Sequence, residues 1–264
     1  MQRRQFIAAS FAASAAALAR EGTAQATASR AREFYQFRRY FLQSGPQTAL
    51  TEKYIGDALI PALARMGMGP VGAFQLEIGP ETPTFYVLIP GASVEALAEV
   101  DLRLAEDAEF LKAADAFWNA PATAPSFLRV ESSLLAAFEG WPRVTPPAAA
   151  ATKGKRIFQL RTYESASNKD HVLKVKMFHS GEFEIFLGAG FHPVFFGDTL
   201  IGPRMPNLTY MLSFTDMAEL EAKWDVFRND TAWKKLSADS RFSYEAIVSK
   251  ISNQILRPLA SSQI

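Results

Sequence analysis

Short apolar or alternating segments, separated by Gly and Pro turns, recur along most of the chain and predict β-strands. Between them, apolar residues return at helical spacing. The strands predicted in the first half are 34–41, 71–78, 84–89 and 126–138. The helices predicted there are 49–66, which Pro61 can kink, 94–104 after an N-cap at Ser93, and 108–118. The first half therefore has the order β-α-β-β-α-β.

The second half repeats this order. Its predicted strands are 157–163, 191–199 and 207–214, followed by a closing segment over 244–255. Its predicted helices are 168–187, capped by Asn168 or Asp170, 217–227, capped by Asp216, and 230–236. The stretch between the halves is rich in Pro, Ala and Thr, as expected of a linker.

One six-residue segment occurs in both halves, 123 positions apart. The aligned polar residues are Gln36, Arg38 and Tyr40 in the first copy and Gln159, Arg161 and Tyr163 in the second. At the same offset Asp107 aligns with Asp230, and Phe110 aligns with Trp233. These matches indicate a duplication. We therefore expect two domains, over 33–141 and 156–258, joined by a linker over 142–155.

The element order of each unit is that of the ferredoxin-like fold, an α+β class in which helices cover one face of a four-stranded antiparallel sheet. The opposite sheet face is left bare, and an apolar bare face has to be covered. We expect the two tandem units to pack sheet to sheet as an intrachain α/β barrel. The space between the two sheets is then the expected pocket.

Alternation along the repeated strand separates two faces. The more apolar side, which carries Tyr35 and Phe37, is expected to lie under the helices. The other side is expected to face the space between the sheets, and its residues are the pocket candidates Gln36, Arg38, Tyr40, Gln159, Arg161 and Tyr163. A buried arginine needs an acid or an anionic ligand. The candidate acids are Glu77, Glu131, Asp198 and Glu245. Two alternatives stay open: structural ion pairs, or an anionic small molecule held beside a tyrosine.

Three histidines occur, all in the second half. His179 lies three residues before Glu182 on a predicted helix, a spacing that can place two metal ligands on one face, but no matching partner motif is present, so no metal site is predicted. His192 lies at a helix-to-strand corner, where a pocket histidine could act as a base. Both are further pocket candidates, although a packing or surface role is the favoured interpretation.

The N-terminal segment resembles an export signal. Arg3-Arg4 is followed by Phe6 and Ile7, then by a weakly apolar Ala-rich run to Ala19. Paired arginines of this kind are typical of twin-arginine signals. Ala24-Gln25-Ala26 supplies a cleavage motif, so we expect residues 1–26 to be removed and the mature protein to be periplasmic. A cytosolic helix or a mitochondrial transit peptide are the alternatives.

Composition narrows the chemistry. The net charge is +1 without a long basic run, so nucleic-acid binding is not expected. The absence of cysteine excludes disulfides, thiolate metal sites and cysteine nucleophiles. Outside the N-terminal segment, no run is long enough to predict a membrane span. The composition does not identify a cofactor.

The second half resembles the NIPSNAP family. Gln159-Leu160-Arg161-Thr162-Tyr163 is similar to that family's E-L-R-x-Y opening, and the segment 224–233 is similar to its helix and D-P-x-W signature. Gln159 replaces the usual Glu and Thr231 the usual Pro, while the first half is a diverged copy. The resemblance implies the dimeric α/β-barrel superfamily, which contains cofactor-free oxygenases, haem enzymes and binding proteins, and makes a homodimer an expectation. It carries over no catalytic residue.

Three functions follow as hypotheses. The first is an exported protein that binds a small molecule between the two sheets. The second is a cofactor-free or haem-dependent oxygenase or isomerase. The third is a protein-interaction adaptor with a sealed core.

Overall fold

The computed structural model describes residues 32–242 and 244–264. The predicted export signal and its cleavage site lie outside the described residues. No helix within the described part of the chain is long and apolar enough to cross a bilayer.

Eight antiparallel strands form a closed barrel. Their bounds are β1 (Phe34–Phe41), β2 (Gly72–Ile78), β3 (Thr84–Gly91), β4 (Arg129–Ala137), β5 (Ile157–Glu164), β6 (His192–Ile201), β7 (Asn207–Phe214) and β8 (Lys250–Pro258). Around the barrel the order is β1-β3-β2-β8-β5-β7-β6-β4. Each half thus contributes the ferredoxin-like order, β4-β1-β3-β2 and β8-β5-β7-β6. This confirms the predicted α+β barrel.

Two seams join the halves edge to edge. Strand β2 pairs with β8, and β4 pairs with β6. Each seam contains a register shift, between Leu76 and Ile78 in one and between Leu134 and Leu135 in the other. The barrel therefore closes within one chain, so the expected homodimer is not needed to complete it and stays a prediction.

Helices cover the outside of the barrel. In the first half they are α1 (Pro46–Tyr54), α2 (Ile60–Arg65), α3 (Val94–Ala98), α4 (Val100–Leu104) and α5 (Ala108–Trp118). The predicted cap is confirmed, because Ser93 Oγ accepts from Ala96 N at 3.1 Å. Pro61 lies at the start of α2, directly after the π-helical segment Ile55–Leu59, where the regular i→i−4 hydrogen-bond pattern is already broken. Helix α6 (Ala148–Ala151) lies in the linker.

The second half has α7 (Asn168–Met177), α8 (Phe183–Gly188), α9 (Met217–Asn229), α10 (Thr231–Ser237) and α11 (Tyr244–Ile247). The cap of α7 is Ser167, whose hydroxyl accepts from Asp170 N at 3.1 Å. The predicted cap, Asn168 or Asp170, is therefore wrong by one or three residues. Asp216 caps α9 as predicted.

A π-helical turn interrupts the first helix of each half. It spans Ile55–Leu59 in the first half and Phe178–Glu182 in the second, again 123 positions apart. In the second, Gly181 adopts φ 123°, which side-chain-bearing residues rarely reach. A Cβ at Gly181 would meet nothing within 4 Å, so the constraint there is the backbone conformation and not space. Such turns often occur at functional sites.

Packed side chains fill the barrel interior. Tyr35, Phe37, Phe158 and Leu160 point inward and join one apolar cluster with residues of the other strands. A cavity of about 30 Å³ remains at one end, room for little more than a water molecule. The prediction of a pocket between the sheets is therefore wrong.

The two faces of the repeated strand are also reversed relative to the prediction. Tyr40 and Tyr163 pack with the helices outside the barrel, in two separate clusters. The interior is enclosed by strands on every side, so it takes the more apolar residues. The helix layer leaves gaps over the sheet that can accommodate the Gln-Arg-Tyr side.

Candidate functional site

A pocket of about 350 Å³ lies between the outer face of the second sheet and its helices. Its floor comes from β5 and β8, and its walls come from the second π turn, α8, α9 and α10. The lining residues are Gln159, Arg161, Tyr163, Glu182, Phe186, Leu220, Glu221, Trp224, Phe227, Arg228, Trp233 and Asn253. We call it the Arg161 pocket. It brings together the three candidates from β5, although on the opposite face from the one expected.

Gln159 is fixed from two sides. Trp224 Nε1 donates to Gln159 Oε1 at 2.7 Å, and Gln159 Nε2 donates to Asn253 Oδ1 at 3.0 Å. Both Gln159 and Trp224 are buried, so these bonds satisfy polar groups that water cannot reach. They hold the Trp224 indole over the floor of the pocket.

Arg161 extends beneath that indole. Its guanidinium carbon lies 4.5 Å from the centre of the Trp224 ring, a cation–π contact. Its Nη2 donates to the Tyr163 hydroxyl at 3.1 Å, and that hydroxyl lies 2.8 Å from the Tyr210 hydroxyl. Burial raises the pKa of Tyr210 well above its ordinary value. A short hydroxyl chain thus leads from the Arg161 guanidinium into the helix layer.

A buried ion pair supports one wall. Lys174 Nζ lies 2.7 Å from Glu182 Oε2 and 3.0 Å from Oε1, and the two side chains are 0% and 2% exposed. Burial raises the pKa of Glu182, while Lys174 and then Arg161 act in the opposite direction. The second π turn places Glu182 at this point. At the related positions the first half carries Thr51 and Leu59, without charge.

Arg38, the corresponding arginine of the first half, has different partners. Arg38 Nη1 pairs with Asp101 Oδ1 at 2.9 Å, and Arg38 Nε donates to Gln36 Oε1 at 2.9 Å. Asp101 occupies the position related to Trp224. An ion pair is therefore present for Arg38, but its acid lies on a helix and was not among the predicted ones.

The four predicted acids have other partners or surroundings. Glu77 binds Arg257, Glu131 binds Arg39 and Arg129, and Asp198 Oδ1 lies 2.7 Å from His171 Nε2. Glu245 is exposed. All four lie in predicted strand or closing segments, whereas the Gln-Arg-Tyr side faces helices.

Neither predicted histidine lies in the Arg161 pocket. His179 Nδ1 lies 2.9 Å from Val175 O, and its Nε2 accepts from Gly140 N at 3.2 Å, so both ring nitrogens serve local packing. His192 is exposed at the start of β6. Glu182, which was paired with His179 by spacing, instead binds Lys174. No group of three or more potential metal ligands occurs among residues 32–242 and 244–264.

A family model for NIPSNAP matches the chain twice, over residues 35–134 and 158–263. The chain belongs to the NIPSNAP family. The two matches start in β1 and β5, the strands that carry the repeated segment. No curated protein matches the NIPSNAP chain.

Solved structures share the fold of this NIPSNAP chain at low identity. A candidate monooxygenase from Lactobacillus acidophilus aligns with a TM-score of 0.55 at 8% identity, covering 86% of this chain and 94% of its own. A candidate monooxygenase from Fusobacterium nucleatum aligns with a TM-score of 0.52 at 10% identity, covering 87% and 94%. An anthrone oxidase-like protein aligns with a TM-score of 0.50 at 9% identity, covering 88% and 95%. These likenesses show the fold.

The Arg161 pocket of this NIPSNAP protein does not fit a haem. Haem iron takes His, Cys, Met or Tyr as its axial ligand. None of the described lining residues is His, Cys or Met. The hydroxyl of Tyr163 is already hydrogen-bonded to Arg161 and Tyr210.

Sequence reasoning missed Trp224, Lys174 and Glu182 as parts of the NIPSNAP site. Aromatic residues at helical spacing usually pack in the core, so spacing alone gives no reason to place Trp224 in a pocket. The alignment of the two halves could have pointed to Trp224. At the 123-residue offset it aligns with Asp101, a residue of very different chemistry, although neighbouring positions match.

Proposed function

We propose that this NIPSNAP protein binds a small anionic molecule in the Arg161 pocket. The observation that carries the proposal is the Arg161 guanidinium, half-buried between the floor of the pocket and the Trp224 ring. A planar guanidinium offers several N–H donors in a fixed geometry suited to a carboxylate or phosphate.

The charges around the pocket favour an anion. Arg161 and Lys174 contribute two positive charges near the buried floor, and Glu182 contributes one negative charge. At the exposed rim, Glu221 and Arg228 cancel each other formally. Water and salt screen charges less at a half-buried site than on an open surface. The attraction between Arg161 and an anionic group is therefore stronger in the pocket.

The size and walls of the pocket limit the ligand. Its volume of about 350 Å³ is near the lower end for small-molecule sites. Phe186, Phe227 and Trp233 supply apolar and aromatic wall. These features support a ligand with one anionic group and a small apolar or aromatic body.

A second candidate is a cofactor-free oxygenase or isomerase that uses the same pocket. The favouring observation is the chain from Arg161 through Tyr163 to Tyr210. Donors held in a low-dielectric site can stabilise the oxygen of an enolate or phenolate that forms during a reaction. The shared fold with candidate monooxygenases is an analogy and assigns no reaction.

Export by the twin-arginine route is part of the proposal. The paired arginines and the Ala-rich run support it. The ligand would then be a molecule of the cell envelope or its surroundings.

Native mass spectrometry of the full-chain protein tests the binding proposal. The expected result is a retained small molecule, released by mild activation, whose occupancy falls at least tenfold in Arg161→Met. The matched control is Arg38→Met, the same change at the repeat-related position, which should keep full occupancy. Equal occupancy in Arg161→Met, or a protein that retains nothing and gains no thermal stability with benzoate or phenyl phosphate, would contradict the proposal. Both variants need an unchanged near-UV circular dichroism spectrum.

A further inference from the structure

A second pocket, of about 360 Å³, lies over the first sheet. Its lining residues are Arg38, Tyr40, Tyr54, Asp101, Phe117, Trp118, Phe127 and Val130. It occupies the place in the first half that the Arg161 pocket occupies in the second. We call it the Arg38 pocket. Nothing in the proposed function of the Arg161 pocket involves these residues.

Arg38 has an unused donor in this pocket. Its side chain is only 5% exposed. Nε is bonded to Gln36 and Nη1 to Asp101, but no acceptor meets Nη2 with hydrogen-bond geometry. A buried guanidinium N–H without an acceptor is costly, and a ligand oxygen placed there would remove that cost.

The charge of Arg38 is already balanced. Burial acts to lower the pKa of Arg38, but Tyr40 and Asp101 outweigh it and raise that pKa, so Arg38 stays charged. The Asp101 carboxylate supplies the matching negative charge at 2.9 Å. A second anion would have to share Arg38 with Asp101 or displace it. An uncharged acceptor oxygen does not compete with Asp101 for that charge; the neutral group that it has to accommodate is the Tyr40 hydroxyl, which also acts on Arg38.

The rest of the pocket is aromatic. Tyr54 and Phe117 are stacked, with ring centres 3.8 Å apart and planes 5° from parallel, and Phe127 lies 5.7 Å from Phe117. Trp118 and Phe127 are each 36% exposed, which is high for large apolar side chains around one cavity. A flat ring can stack on these walls and cover their exposed edges.

We propose that the Arg38 pocket is a second ligand site, which takes an uncharged aromatic molecule with a carbonyl oxygen. The carbonyl accepts from Arg38 Nη2, and the ring packs among Phe117, Trp118 and Phe127. The site differs in ligand class from the Arg161 pocket because Asp101 stands where the second half has Trp224.

The four tryptophans allow the two sites to be observed separately. With 5-fluorotryptophan incorporated, Trp118 reports on the Arg38 pocket, while Trp224 and Trp233 report on the Arg161 pocket; Trp→Phe variants assign the four ¹⁹F resonances. The full-chain protein is titrated with acetophenone and with benzoate, two probes of one shape that differ in charge. Acetophenone should shift the Trp118 resonance, whereas benzoate should not.

Two substitutions test the role of each charged group. Arg38→Met should weaken acetophenone binding at Trp118 about tenfold or more, because it removes a charge-assisted hydrogen bond. Asp101→Asn should keep acetophenone binding and should create a benzoate response at Trp118, because the positive charge is then unbalanced. Arg161→Met should leave the Trp118 response unchanged, so failure of the proposed function and failure of this site give different results.

The inference is overturned if acetophenone leaves Trp118 unshifted, if Arg38→Met binds acetophenone as well as the wild type does, or if benzoate shifts Trp118 in the wild type. Should Arg38→Met fail to fold, Phe127→Ala decides instead. Phe127 is partly exposed, so its removal should preserve the fold and still weaken acetophenone binding severalfold. Unchanged binding in that variant counts against the site.

Discussion

The buried pair of Lys174 and Glu182 makes a sharp prediction about stability. Replacing Lys174 with Met leaves the Glu182 carboxylate enclosed without its closest partner. Replacing Glu182 with Leu leaves the ammonium in the same situation. Removing one member of a buried pair typically costs about 3–5 kcal/mol. Both side chains are almost fully buried and the shortest distance is 2.7 Å, so we expect each single variant to fall in that range.

The double variant should behave differently. Replacing a whole buried pair with apolar residues of similar size is often neutral or stabilising. The first half offers a natural precedent, with Thr51 and Leu59 at the related positions. We therefore expect Lys174→Met combined with Glu182→Leu to recover most of the loss, leaving it within about 1.5 kcal/mol of the wild type.

Thermal unfolding followed by near-UV circular dichroism measures these effects. For a domain of this size, a loss of 3–5 kcal/mol lowers the melting temperature by roughly 10 °C. The loss in Lys174→Met should grow as the pH rises from about 5 to 8. Lys174 opposes the rise that burial causes in the pKa of Glu182, so its removal lets that pKa rise further. The folded variant then retains a proton that the unfolded chain releases, and its stability relative to the wild type falls with increasing pH. A Lys174→Met variant that melts like the wild type, or a double variant that loses the sum of both single effects, would refute the reasoning.

Three further predictions rest on single contacts or segments. Trp224→Phe removes the hydrogen bond to Gln159 Oε1, so we expect the free energy of unfolding in urea to fall by about 1–2 kcal/mol. This loss should be smaller when Trp224→Phe is made in a Gln159→Leu background, whereas additive losses would contradict the contact. Burial acts to raise the pKa of Glu219, but Lys223 and the Thr215 hydrogen bonds lower it to about 2. Glu219→Gln should therefore lower the stability at pH 7 and no longer at pH 2. A stability difference that is the same at both pH values would contradict this sign. Replacing Arg3 and Arg4 with Lys should keep the protein in the cytoplasmic fraction, whereas continued appearance in the periplasm would remove the twin-arginine assignment.

Most of the fold could be predicted because its information is local. Alternation placed β1 and β7 within a residue of their observed bounds, and Ser93 and Asp216 were correct as caps. The matches at the 123-residue offset then indicated the duplication. The need to cover the bare sheet face of each unit predicted the barrel. Each step used residues close together in sequence or a repeated pattern.

The site could be predicted only in part, because it depends on contacts distant in sequence. Gln159 meets Trp224 across 65 residues, and only the folded chain shows it. The assignment of Arg161 to the barrel interior was wrong because an apolar face can belong to a helix layer or to a barrel core. Alternation separates the two faces without saying which is which. Apolar spacing near 3.6 also does not reveal a π turn, so the position of Glu182 was not predicted.

Closure of the barrel within one chain has an evolutionary consequence. In a barrel assembled from two identical subunits, every substitution appears twice, so both sites change together. Here the seams β2–β8 and β4–β6 join two halves of one chain, and each half has its own amino-acid sequence. One half has Asp101 beside its arginine, and the other has the Trp224 indole. Because both halves lie in one polypeptide, a substitution in one half leaves the other unchanged, and the two cavities can differ in their lining.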